Sequence, residues 1–95
     1  MAETCNELTQ SELRSIEQRC EAATAGPWTP FVEGRDHTSG SSFIRTTDDD
    51  IEMSGATTAD FDFIAHARQD VPRLLAEVQR LRAVLDASRA PRAAE

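Results

Sequence analysis

A chain of 95 residues holds material for one domain with one small core. With four Phe, one Trp and no Tyr, that core is mostly aliphatic. The net charge of −7 is repelled by phosphate backbones and anionic membranes, which argues against nucleic acid or membrane as partner.

Residues 1–8 are polar and expected to be disordered. They lack the basic and apolar regions of a signal peptide, and no apolar run approaches the roughly 20 residues that span a bilayer. The expected location is therefore cytoplasmic. Cys5 and Cys20 are too few for a disulfide framework, and no structural disulfide is expected.

Thr9-Gln-Ser-Glu12 is a capping-box pattern. Leu13, Ile16, Cys20 and Ala23 then fall on one helical stripe, which predicts a helix to about Thr24. Gly26-Pro27 ends it, because Pro cannot continue a helix. Cys20 lies on that stripe and reads as a small buried apolar residue.

Trp28 to Glu33 alternates, with Trp28, Pro30 and Val32 on one face and Thr29, Phe31 and Glu33 on the other. Pro30 marks an edge strand. A second strand is predicted at 42–46, with Phe43 and Ile44 on opposite faces. After the turn Thr47-Asp-Asp-Asp50 comes a third, Ile51 to Ser54, with Ile51 and Met53 inward.

A helix is predicted from near Thr57, whose hydroxyl can cap it, with Asp60 three residues on. Pro72 lacks an N–H and disfavours helix at the residue before it. The expectation is therefore a corner at Asp70 to Pro72 and a new helix capped by Asp70. In that second helix Val71, Leu74, Val78, Leu81 and Leu85 recur in steps of three and four. Leu75 and Val84 widen the stripe. Glu77 and Arg82 fall where a parallel partner helix could pair them. The stripe is larger than a small sheet and one helix need, so a homo-oligomer is expected with these five residues at its interface. The tail 87–95 has no periodicity and is expected to be disordered. The predicted architecture is one α+β domain over 1–95: an N-terminal helix, a three-stranded antiparallel meander and two C-terminal helices.

Cys-Glu-Ala-Ala-Thr-Ala-Gly-Pro-Trp (20–28) and Asp-Phe-Ile-Ala-His-Ala-Arg-Gln-Asp-Val-Pro-Arg-Leu-Leu-Ala-Glu-Val (62–78) resemble small phage and prophage proteins of the Ead-like type. Ala25 stands where that family's turn usually has Pro, and 66–72 departs from its pattern. The resemblance implies a phage or mobile-element origin, hence a host-cell cytoplasmic location, and a similar layout. It carries over no functional residue.

The stretch with the most chemistry is Gly34-Arg-Asp-His-Thr-Ser-Gly-Ser-Ser42. It is longer than most hairpin connections. Arg35 offers a planar fork for phosphate or carboxylate, and Gly34 and Gly40 let backbone N–H groups approach a ligand. Arg35, His37, Thr38, Ser39, Ser41 and Ser42 are accordingly the candidate site for a small anionic ligand such as a nucleotide. Asp36 is placed to orient Arg35 or His37 instead. The turn before Thr57 is a weaker anion site, because Asp60 and Asp62 already fill it. Asp48-Asp-Asp50 lacks the spacing of a calcium loop, and neither His37 nor His66 has a ligand partner at zinc spacing, so no metal and no cofactor are expected. No acid–base or nucleophile pair stands out, and the chain reads as non-enzymatic. Two functions fit: a ligand-binding protein that sequesters a nucleotide immune signal in a homo-oligomer, or an interaction module that grips a host or viral partner through 71–85.

Overall fold

The computed structural model describes residues 7–89. Cys5, most of the N-terminal segment and the tail from residue 90 lie outside the described residues.

Helix α1 spans Gln10–Ala22. Its capping box forms in full: Thr9 Oγ1 accepts from the Glu12 N–H at 3.0 Å, and Glu12 Oε1 accepts from the Thr9 N–H at 2.8 Å. The chain leaves the helix at Ala23 in an extended conformation. The segment that follows is fastened by side chains. The Trp28 indole N–H donates to the Thr24 carbonyl at 3.1 Å, and the Thr47 hydroxyl donates to the Ala25 carbonyl at 3.0 Å.

Strands β1 (Thr29–Phe31), β2 (Phe43–Arg45) and β3 (Asp50–Ile51) form an antiparallel meander in the order β1-β2-β3. The register sets Pro30 opposite Ile44, and Ile44 opposite Ile51. One face of the sheet therefore carries Pro30, Ile44 and Ile51, as the alternation requires. The other face stacks Phe31 on Phe43 with ring centroids 5.3 Å apart, and the Arg45 guanidinium lies 5.1 Å from the Phe31 centroid. The strands are shorter than expected: β3 ends at Ile51, although Met53 still packs on the core.

Helix α2 runs unbroken from Thr58 to Arg89, with Pro72 inside it. This corrects the expectation of two C-terminal helices meeting at a corner. Proline inside a helix costs about 3 kcal/mol or more through a lost hydrogen bond and a steric clash. Contacts on both sides of Pro72 oppose that cost. Gln69 accepts from the Trp28 N–H at 2.7 Å. Arg68 donates to the carbonyls of Thr24 (2.8 Å) and Cys20 (3.1 Å). Leu75 is buried against α1 beyond the proline. These contacts hold both flanks on one axis, so tertiary packing overrides the local preference. The helix also continues to Arg89, three residues past the predicted end, in a stretch where Ala and Arg favour helix.

The core lies where the sheet meets the first half of α2. Val32, Ile44, Phe61 and Ala65 are buried together, with Trp28, Ile51, Met53 and Ala56 packed around them. Helix α1 lies antiparallel along the second half of α2. Arg68 reaches its C-terminal end, and Arg82 donates to the Leu8 carbonyl at 2.7 Å near its start. Leu13 and Leu75 are buried between the two helices.

Candidate functional site

The loop 34–42, the candidate ligand site, is fastened by hydrogen bonds to the end of the preceding segment. Gly34 takes a positive φ of 89°, which closes a tight turn. The Arg35 and Asp36 N–H groups both donate to the Val32 carbonyl, at 3.0 and 2.8 Å, and Asp36 Oδ2 accepts from the Val32 N–H at 2.8 Å. The Ser42 hydroxyl accepts from the Glu33 N–H at 3.0 Å.

The Arg35 guanidinium is bound by two carboxylates of the chain, with its side chain 43% exposed. Nη1 and Nη2 each donate to one oxygen of Asp62 at 2.9 Å, a bidentate fork. Nε and Nη2 donate to Asp36 at 3.1 and 2.9 Å. The side-chain hydrogen bonds from Arg35 hold the Asp36 and Asp62 carboxyls below their ordinary value of 3.8, and these bonds raise Arg35 in turn. An external anion would meet a guanidinium whose charge is already balanced by two carboxylates. The trio instead ties the β1–β2 loop to the first turns of α2.

The other loop residues do not converge. Thr38, Ser39 and Ser41 are exposed. His37 tilts against Phe43 with centroids 5.5 Å apart, and its Nε2 is shielded from solvent without a hydrogen-bond partner among the described residues. Ser41 and Ser42 border a groove of about 530 Å³ with Ser54, Glu52 and Phe61, which presents a carboxylate and no cation. At the N-terminus of α2 the cap is closed, because Asp60 and Thr57 exchange hydrogen bonds of 2.9 and 3.1 Å. Among the described residues no group of three or more His, Cys, Asp or Glu is placed to hold a metal ion, and no helix is long and apolar enough to cross a membrane.

The face of α2 turned away from the sheet is the more distinctive surface. With no break at Pro72, the apolar stripe predicted for 71–85 extends back through Ala67 to Phe63 and Ile64. It then divides. Leu75 goes under α1, and Val71, Leu74 and Val78 line an apolar groove of about 160 Å³ with Leu8, Leu13 and Ile16. Leu74, at the rim of that groove, and Leu81, Val84 and Leu85 beyond it are exposed, with Leu74 63% exposed and Leu85 51%. Phe63 is 74% exposed on the same side. Isolated exposed leucines are ordinary, whereas several exposed apolar side chains on one helix face make a candidate interaction surface.

Beside this row lies a shallow depression of about 720 Å³ lined by Asp70, Arg73, Leu74, Ala76, Glu77 and Arg80. Glu77 accepts from Arg80 at 2.7 and 3.2 Å, which lowers the Glu77 carboxyl. The flanking pair expected for a parallel partner, Glu77 with Arg82, is committed within the chain, since Arg82 binds the Leu8 carbonyl. Phe63 was legible as an apolar residue on a second face of the helix. Its exposure follows only from the sheet lying on the Phe61 and Ala65 side. A comparison of the chain with protein-family models, with curated proteins and with solved structures finds no match to any of them.

Proposed function

We propose that this protein is a non-enzymatic interaction module whose working surface is the free face of α2. The observation that carries this reading is the row Phe63, Leu74, Leu81, Val84 and Leu85, which stays exposed while Phe61 and Ala65 of the same helix enter the core. A helix that offers such a row is suited to helix-against-helix docking. The ligand reading, with signal sequestration and the phage setting drawn from the family resemblance, loses its main chemical support once Arg35 is satisfied by Asp36 and Asp62.

Site-specific photo-crosslinking in cells tests the reading. A photoreactive residue placed at Leu81 should give a discrete higher-mass adduct. The same residue at Gln18, on the exposed outer side of α1, should not. No adduct from position 81, or the same adducts from both positions, would overturn the assignment.

A further inference from the structure

We propose that α1 is a detachable splint across the proline of α2: it leaves while the sheet and the first half of α2 stay folded, and once it has left, α2 bends at Pro72. This goes beyond the docking role of the free face and does not depend on that face having a partner.

The first observation is that the apolar interior is in two parts. Val32, Ile44, Phe61 and Ala65 form one buried cluster between the sheet and α2. Leu13 and Leu75 are buried apart from it, between the two helices. Among the described residues Leu13 is the only buried one of α1, and Ile16 and Cys20 on its stripe are half-buried. The seam is also incompletely filled. Beside the apolar groove at Leu13, a second groove of about 330 Å³ lies between Glu17, Cys20 and Glu21 of α1 and Arg68, Pro72 and Gln79 of α2. An unfilled seam forfeits dispersion contacts. Elements with few buried apolar contacts open at a lower free energy than the core does.

The second observation is where α1 grips α2. Pro72 has no N–H to offer the Arg68 carbonyl, so the backbone ladder that stiffens a helix is broken there. Helix α1 spans this break. Before it, Arg68 Nε and Nη2 donate to the Thr24 and Cys20 carbonyls around the C-terminal end of α1, where a cation is favoured. After it, Leu75 lies under α1, and Arg82 donates to the Leu8 carbonyl. The hold of the sheet side ends at Gln69, which accepts from the Trp28 N–H. Past Gln69, Leu75 is the only buried residue of α2 among those described. The direction of 73–89, with its exposed leucines, is therefore set by α1 and not by the sheet.

Native-state hydrogen exchange tests the detachment. In the parent, the amides of Ile16 to Cys20 should open at least about tenfold more often than those of Ala65 to Gln69, a difference of 1.4 kcal/mol. Their opening should also depend less on denaturant, because less surface is exposed. Equal opening free energies and equal denaturant dependence overturn the splint. Leu13→Asp supplies the second arm. The α1 resonances should move to unfolded positions while those of Val32, Ile44 and Phe61 keep their parental ones. Loss of native shifts throughout the chain, or no change in α1, overturns the proposal. Spin labels at Glu52→Cys and Arg89→Cys, in a chain carrying Cys5→Ser and Cys20→Ala, read the hinge. The distance distribution should be narrow in the parent, broad with Leu13→Asp, and narrow again with Leu13→Asp plus Pro72→Ala. A narrow distribution with Leu13→Asp alone, or a broad one that Pro72→Ala leaves broad, overturns bending at Pro72.

Discussion

The two halves of α2 use their side chains in opposite ways. Up to Gln69 the helix is held by the sheet. Phe61 and Ala65 are buried, Asp62 binds Arg35, and Gln69 binds the backbone of Trp28. Beyond Gln69 the helix carries more aliphatic side chains, yet only Leu75 is buried. The difference teaches that the core forms where two layers meet, and the densest apolar stripe need not lie there. Residue 44 shows the same logic: one isoleucine in a three-residue strand is fully buried because α2 covers one sheet face.

The largest effect should come from breaking the sheet half. Ile44→Ala removes a side chain with no solvent exposure and leaves a cavity over Phe61 and Ala65. Denaturant unfolding should show a loss of about 2–5 kcal/mol. A loss under about 1 kcal/mol would mean that the sheet is not the stabilising layer.

A smaller effect sharpens the comparison through pH. Asp36 and Asp62 have folded-state values below their ordinary 3.8 because Arg35 donates hydrogen bonds to them. A depressed carboxyl contributes stability that is fully present above its unfolded value. That stability is lost as the pH falls below about 3.8 through the folded value. Melting temperatures followed downward from pH 6 should therefore drop less steeply in Arg35→Ala than in the parent below pH 4, with the two curves parallel above about pH 5. The groups are partly exposed, so high salt should shrink the difference. Identical acid slopes would show that the trio does not fasten the loop to α2.

The smallest effect belongs to the free half. Leu81→Gln, measured at a dilution where the chain is monomeric, should change stability by no more than about 0.5 kcal/mol, because half of that side chain is already in water. A loss as large as that of Ile44→Ala would place Leu81 in the monomer's own core and end its role as a docking residue.

Much of the fold was legible in the chain. Both capping boxes, at Thr9 with Glu12 and at Thr57 with Asp60, are local hydrogen-bonding patterns that need only a few consecutive residues. The opposite facing of Phe43 and Ile44 follows from the period of a strand. The α+β order of helix, three-stranded antiparallel sheet and helix follows from the change between those periods and the turn residues between them. The stripe at 71–85 was visible for the same reason.

What tertiary structure decided has a common cause: each case turns on a contact between residues far apart in sequence. Pro72 reads as a helix boundary until Arg68 and Gln69 are seen gripping residues 20–28, more than 40 positions earlier. Arg35 reads as a free anion fork until Asp62, 27 residues on, closes it. Leu75 and Leu74 are neighbours of the same type and would be scored alike by any local rule. Helix α1 covers the first and leaves the second in water, because a helix turns 100° per residue and one neighbouring helix can shield only one side.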